Sequence, residues 1–185
     1  MKVFILLVIA LTACHQPSRV SNIRDAVSDV QPSEYELYSY LLRAYRNKPS
    51  VRVADSTKPS WSGVPRDLCP WRRKGDSFCE SQAWVDFVAK NQKPSLLHSR
   101  FAKELNLKVA RESPHIEATC KEPTTVTFSR VGMNPERTQA VVDMVVVIGK
   151  GPAPPWGCGF IEGDLMFLER EGKTWKEKAA LTFIT

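Results

Sequence analysis

The sequence lacks the short motifs that mark the common classes of enzyme. It contains no P-loop, no dinucleotide-binding fingerprint, no H-E-x-x-H and no G-x-S-x-G. Histidine is scarce, with three residues in 185, and His98 and His115 lack the companion spacing of a zinc site. A hydrolase would need one of these two histidines in a pocket with an acid and a nucleophile. The sequence therefore predicts a protein without catalytic residues, without a metal and without a cofactor.

No apolar run in the sequence is long enough to cross a bilayer as a mature helix. The apolar residues 3–11 follow Lys2 and lead into small residues, a pattern typical of a secretory signal. The sequence Leu11-Thr12-Ala13-Cys14 at its end resembles the lipobox of bacterial lipoproteins. The resemblance implies that residues 1–13 are removed as a signal peptide. It also implies that Cys14 is acylated and anchors the mature chain in a lipid bilayer.

The same resemblance implies a location in the cell envelope. In lipoproteins of bacteria with two membranes, an Asp after the acylated cysteine is typical of retention at the inner membrane. This chain has His15 at that position, so we expect an anchor in the outer membrane that faces the periplasm. Residues 14–32, the lipidated cysteine and a polar segment, are expected to form a flexible tether. Residues 33–185 are then expected to form a single domain.

Positive charge is not concentrated in any one segment. Lys and Arg number 26 against 20 Asp and Glu, a net charge of +6, but these residues are spread along the chain. Proteins that bind nucleic acid usually gather their charge on one stripe, and an exported location also argues against nucleic acid. The expected partner is an unknown protein or an anionic envelope polymer, and the domain is expected to be a monomer.

Few cysteines remain once Cys14 is assigned to lipid. They are Cys69, Cys79, Cys120 and Cys158. None of them has the C-x-x-C spacing of a metal site, and an even number in an oxidising compartment indicates disulfides. The connectivity is open from spacing alone. We favour Cys69–Cys79, which closes a short loop. We also favour Cys120–Cys158, because these two precede strands that start at the same end of the sheet predicted below.

The apolar pattern predicts an α+β fold whose first half contains helices. Ser33 and Glu36 have the spacing of a capping box, so a helix is predicted from Ser33 to a stop at Pro49. A second helix is predicted over 81–92 and a third from Pro94. The buried face of the third helix is predicted to consist of Leu97, Phe101 and Leu105. Short strands are predicted over 51–55 and 107–110.

The second half of the sequence has the alternation of β-strands. Turn residues lie at 132–136 and again at 170–172. The run 140–148 is apolar except for Asp143, as in a central strand that is covered on both faces. We therefore predict an antiparallel four-stranded meander over about 124–185, with the N-terminal helices packed on one face and two disulfides.

One segment of the last third resembles part of an uncharacterised family of exported bacterial proteins. It reads Ser129-Arg130-Val131-Gly132-Met133-Asn134, followed by Thr138-Gln139-Ala140. Family members have S-R-V-G-F-N and T-Q-A-L-V in a strand–turn–strand, then a Gly- and Cys-rich loop and a G-x-W. Here Met133 replaces the aromatic residue, and Cys158 is single where some members have two cysteines. The family has no established activity, so the resemblance implies export and a fold.

Two segments place a tryptophan beside prolines or cations. Trp71 lies between the first two domain cysteines beside Arg72, Arg73 and Lys74, and Trp156 follows two prolines. An aromatic residue held in this way is typical of an interface anchor, so these five residues are the candidate partner-binding residues. The alternative is that both tryptophans lie in the core. We expect a non-catalytic binding module, or alternatively a periplasmic inhibitor or immunity protein against a toxic hydrolase.

Overall fold

A computed structural model describes residues 29–58, 69–71, 77–98, 100–110, 124–148 and 160–184. Its helices are α1 (Pro32–Leu41), α2 (Gln82–Lys90) and α3 (Arg100–Glu104), with short 3-10 helices at Leu42–Tyr45 and Ser77–Glu80. Its strands are β1 (Val51–Ala54), β2 (Lys108–Ala110), β3 (Thr124–Phe128), β4 (Gly132–Met133), β5 (Gln139–Ile148), β6 (Phe160–Glu171) and β7 (Thr174–Ile184). Several predicted sites lie outside the described residues, namely Cys14, Arg72, Arg73, Lys74, His115, Cys120, Trp156 and Cys158.

The described strands form one mixed sheet. Its order is β2-β1-β3-β5-β6-β7, with β4 paired to β5. Strand β1 runs parallel to β2 and β3, whereas the pairs from β3 to β7 are antiparallel. The α+β class is confirmed. The prediction of a four-stranded antiparallel meander is wrong, because β1 and β2 extend the sheet beside β3 in parallel. Local alternation located these two short strands but could not specify their neighbours.

Helices cover both faces of the sheet rather than one. Alternate residues of β5 enter two apolar clusters: Ala140 and Val142 pack with α1 and α3, whereas Val141 packs with α2. The first cluster contains Leu37, Tyr38, Phe101, Val126, Phe128 and Met166, and the second contains Trp71, Ala83, Trp84, Phe87, Leu165 and Phe167. The predicted single helical layer is therefore wrong. The burial of β5 on both faces explains its continuous apolar run, because such a strand needs no alternation of apolar and polar residues.

Helix α2 packs directly on β4 at Gly132. A Cβ atom built on Gly132 would lie 2.2 Å from the carbonyl oxygen of Ala83 and 2.2 Å from the main-chain nitrogen of Phe87. Only a glycine allows so close an approach of helix and strand. The helix begins as predicted, because the hydroxyl of Ser81 accepts a hydrogen bond from the main-chain N–H of Trp84 at 3.2 Å.

The start of α1 differs from the prediction. Pro32 is the first helical residue, where its missing N–H costs nothing. The main-chain N–H of Gln31 donates to the Glu34 carboxylate at 3.2 Å, so Glu34 holds the position that the sequence assigned to Glu36. Val30 is already buried in the core. Residues 29–32 thus belong to the packed domain, although the sequence assigned them to the tether.

The helix predicted from Pro94 begins later, at Arg100. Residues before it are extended, since Leu96 forms an isolated bridge with Ser56 and the N–H of Leu97 donates to the Asp55 carbonyl at 2.8 Å. Pairing with the segment after β1 satisfies these main-chain groups and stops a helix from forming there. Leu97 and Phe101 are nevertheless buried, as predicted.

The predicted disulfide between Cys69 and Cys79 is present. It closes a loop with a sequence separation of 10 residues, and chain-entropy estimates give such a crosslink roughly 3 kcal/mol of stabilisation. Cys69 is buried, and partly buried Cys79 packs against the same cluster as α2. The disulfide therefore fixes this loop on the α2 face of the sheet.

Candidate functional site

The S-R-V-G segment lies at a buried ion pair. The Arg130 guanidinium donates from Nε to Glu34 Oε2 at 2.9 Å and from Nη2 to Oε1 at 2.8 Å. The two side chains are 5% and 0% exposed. A bidentate pair of this kind is strong and fixed in geometry, and it joins α1 to the chain between β3 and β4.

Other polar groups complete the surroundings of this pair. Arg130 Nη1 lies 2.9 Å from Asp29 Oδ2 and donates to the Ser95 hydroxyl at 3.1 Å. The main-chain N–H of Val131 donates to Glu34 Oε2 at 2.9 Å. Burial works against the charge of Asp29, but hydrogen bonding from Ser95 and the charge of Arg130 hold its pKa below the ordinary value. The pKa of Arg130 is raised, because the hydrogen bonds and charge of Glu34 outweigh burial.

The main chain of the segment, like the Arg130 side chain, is held by hydrogen bonds to buried groups. Asn91, at the end of α2, accepts from the N–H of Arg130 at 2.8 Å and donates to the Arg130 carbonyl at 2.9 Å. The hydroxyl of Ser129 accepts from the N–H of Asp143 at 2.8 Å. Tyr38 donates to the Ser129 carbonyl at 2.8 Å, and burial, with the nearby Glu34 charge, raises the pKa of Tyr38.

The second half of the segment makes the turn before β5. Asn134 Oδ1 accepts from the main-chain N–H groups of Thr138 and Gln139, both at 2.8 Å, and its Nδ2 donates to the Thr138 hydroxyl at 2.9 Å. Arg137 within this turn has a positive φ of 55°. Together with Gly132 under α2, these contacts give the polar and glycine residues of the segment structural roles. We infer that the segment specifies the fold.

Trp71 is a core residue. It is fully buried, and its ring makes edge contacts with Phe78, Trp84 and Phe167 at centroid distances of 6.2, 5.8 and 6.3 Å. Of the two alternatives left open by the sequence, the structure thus places Trp71 in the core. Cys69 and Cys79 lie in the same apolar cluster as the Trp71 ring, so the cations that follow Trp71 in the sequence are no guide to its exposure.

The described residues form a concave surface between α1 and α3. This α1–α3 cleft has a volume of about 770 Å³ and is lined by Val30, Pro32, Tyr35, Glu36, Ser39, His98, Arg100, Phe101 and Glu104. Ligand sites commonly have volumes of 300–1,000 Å³. The aromatic part is Tyr35 and Phe101, whose ring centroids lie 5.3 Å apart. Charged side chains form the rim.

His98 is exposed on the rim of the cleft. Its main-chain N–H donates to the Tyr35 hydroxyl at 2.8 Å, and the two rings lie 6.2 Å apart. The acids of the rim are paired with arginines: Glu104 lies 3.3 Å from Arg100 Nε and Glu36 lies 3.1 Å from Arg170 Nη2. The structure thus places His98 in a cleft, which the sequence left open. No pattern in the sequence marked this cleft, because it arises from the packing of two helices.

The described part of the chain contains no group of three or more His, Cys, Asp or Glu residues placed to hold a metal ion. Within the same residues, no helix combines the length and apolar character needed to span a membrane. Comparison of the chain with protein-family models, curated proteins and solved structures found no match. The two resemblances drawn from sequence therefore stay predictions.

Proposed function

We propose that this protein is an envelope lipoprotein whose domain binds a protein or an anionic envelope polymer without catalysing a reaction. The observation that carries the proposal is the sequence Leu11-Thr12-Ala13-Cys14 after an apolar run. Each buried methylene of an acyl chain contributes about 0.8 kcal/mol, and two or more chains give firm anchoring. The proposed location is the outer membrane, on its periplasmic side.

The Cys69–Cys79 disulfide supports an exported location, because disulfides persist in oxidising compartments. With Cys14 acylated, Cys120 and Cys158 are the remaining cysteines, and we propose that they form the second disulfide. The strand order supports this pairing. Cys120 precedes β3 and Cys158 precedes β6, and these two strands run in the same direction with β5 between them.

The way in which the chain joins the domain favours the α1–α3 cleft as the contact surface. Arg130 binds the Asp29 carboxylate at 2.9 Å and the Asp29 carbonyl at 3.1 Å. The chain is thus held at Asp29, directly before Val30, which lines the cleft. If residues 15–28 are a flexible tether, their average span is about 20 Å. The cleft would then lie close to the membrane surface, where envelope components are concentrated.

One cation on the rim of the cleft, Arg100, is accessible to an anionic partner. The Arg100 side chain is 89% exposed although it pairs with Glu104, and His98 is also exposed. An exposed pair is worth little to stability, so the guanidinium can exchange Glu104 for an anionic group of a partner. Tyr35 and Phe101 add apolar area beside these groups, as in sites that fix a ligand with a few polar contacts.

Affinity capture from detergent-solubilised envelopes, under non-reducing conditions, tests this proposal. The double variant His98→Ala/Arg100→Ala is expected to bind its partner roughly 30-fold more weakly than the wild type, because two removed contacts at about 1 kcal/mol each cost about 2 kcal/mol of binding. The control is Arg52→Ala/Lys108→Ala, which removes two exposed residues of neighbouring strands and should leave capture unchanged.

Each outcome of this experiment has a defined meaning. Equal capture by both double variants would show that the cleft is not the contact surface. Recovery of no specific component by the wild type would contradict the binding proposal as a whole. A captured toxic hydrolase that loses activity on binding would assign the inhibitor or immunity role.

A further inference from the structure

The two edges of the sheet differ in length. Strand β2, Lys108–Ala110, forms one edge with three residues. Strand β7, Thr174–Ile184, forms the other with 11 residues. Among the described residues, no strand pairs with the outer side of β7. A long edge strand presents a row of main-chain donors and acceptors, which is a template for pairing with another chain.

Charge is distributed unequally along β7. Its first half contains Lys176, Glu177 and Lys178, whereas residues 179–184 carry no charge. An irregularity in the pairing with β6, between Phe167 and Leu168, lies at the junction of the two halves. Charges and bulges are the devices by which proteins prevent pairing at an edge. They protect the first half of β7 and leave 179–184 unprotected.

We propose that 179–183 pairs with the same segment of a second copy of this chain, so that the protein is a dimer and not the monomer expected from the sequence. The two β7 strands run antiparallel about a two-fold axis at Leu181. In this register Leu181 lies opposite its own counterpart, and Ala180 lies opposite Thr182 of the second copy. Opposed residues of an antiparallel pair lie on the same face of the sheet. The sheet therefore continues from one copy into the other with its faces matched.

A second copy suits this edge because a two-fold contact requires a surface that is complementary to itself. The uncharged segment meets this condition about Leu181. An axis at Glu177 would instead oppose Lys176 to Lys178 of the second copy, and like charges directly opposite destabilise a pair. A shift by one residue would place the two apolar faces on opposite sides. The register about Leu181 avoids both conflicts. This inference is independent of the proposed function.

Disulfide crosslinking of the full-length protein in detergent tests the register. Opposed residues of an antiparallel pair have Cα atoms about 4.5–5.5 Å apart, within the range of a disulfide. Leu181→Cys is expected to give a crosslinked dimer on mild oxidation, above the level of the wild type. Lys176→Cys is the control, since its two copies would be roughly 33 Å apart in this register. Equal crosslinking of the two variants, or none, would overturn the proposed register.

A charge variant tests the dimer without a crosslink. Thr182→Lys places two ammonium groups diagonally across the axis, about 7–8 Å apart, and should weaken the dimer roughly tenfold. Thr174→Lys makes the same change on the same strand outside the contact and should leave the dimer intact. Analytical ultracentrifugation gives the masses, and circular dichroism confirms that each variant is folded. A monomeric wild type, or equal dimerisation of the two variants, would refute the proposal.

Discussion

Replacing Arg130 with alanine is expected to lower the free energy of unfolding by about 3–5 kcal/mol, because the variant leaves a buried carboxylate without its cation. Glu34 is fully buried and receives two hydrogen bonds from this guanidinium. Lys90 cannot take over the role from its present position, since its Nζ lies 3.9 Å from Glu34 Oε1 and 2.7 Å from Asp86. Equilibrium unfolding in urea at neutral pH measures the effect.

Arg100→Ala is the matched control for the loss of an arginine. Its pair with Glu104 is exposed, with side chains 89% and 63% accessible, so its removal should cost less than about 1 kcal/mol. The double variant Glu34→Leu/Arg130→Met should be more stable than Arg130→Ala, because it removes both charges together. If Arg130→Ala cost no more than Arg100→Ala, the ion pair would not hold α1 to the sheet as described.

Replacing Gly132 with alanine is expected to cost about 3 kcal/mol. Overpacking commonly costs 1–3 kcal/mol, and this site lies at the upper end because the atoms in the way belong to the main chain of α2. The new Cβ would meet Ala83 O at 2.2 Å and Phe87 Cα at 2.4 Å. The helix must therefore move away from β4, which also loosens Trp84 against its cluster. Thermal unfolding and near-ultraviolet circular dichroism of the tryptophans measure both effects.

Gly172→Ala provides the comparison for this substitution. Gly172 lies in the turn between β6 and β7 with a φ of 63°, and a Cβ there would meet no heavy atom within 4 Å. Its replacement should cost about 1–2 kcal/mol through the left-handed conformation alone. Near-ultraviolet spectra should not change for this variant. An equal or larger loss at Gly172 would contradict the close approach of α2 to Gly132.

The local sequence pattern was enough to predict the helices and strands whose determinants are close together in the sequence. The helix over 81–92 was predicted from its apolar face, and Ser81 caps it. The hairpin of β6 and β7 was predicted from its turn at Gly172. The parallel pairing of β1 was not predicted, because its partners β2 and β3 are separated from it by long stretches of chain. Nothing within residues 51–55 specifies those neighbours.

The candidate site was harder to predict from the sequence than the fold, because it is formed by contacts between residues far apart in the chain. Glu34 and Arg130 are 96 residues apart, so no local pattern assigned a role to Glu34. The nearby Ser33 and Glu36 offered a competing start for α1. Trp71 was placed at an interface because of its charged neighbours, yet its ring is buried against Phe78 and Trp84. The α1–α3 cleft exists only once two helices have packed, and no residue pattern encodes it locally.

We propose above all that the domain works from a lipid anchor at Cys14. The intact mass of the full-length protein, purified from the membranes of a two-membrane bacterium, tests it most directly. We expect a chain that begins at Cys14, lacks residues 1–13 and carries the added mass of two or three acyl chains. The same preparation of Cys14→Ser should carry no acyl mass. A wild-type protein that begins elsewhere, or that begins at Cys14 without acyl groups, would contradict the account.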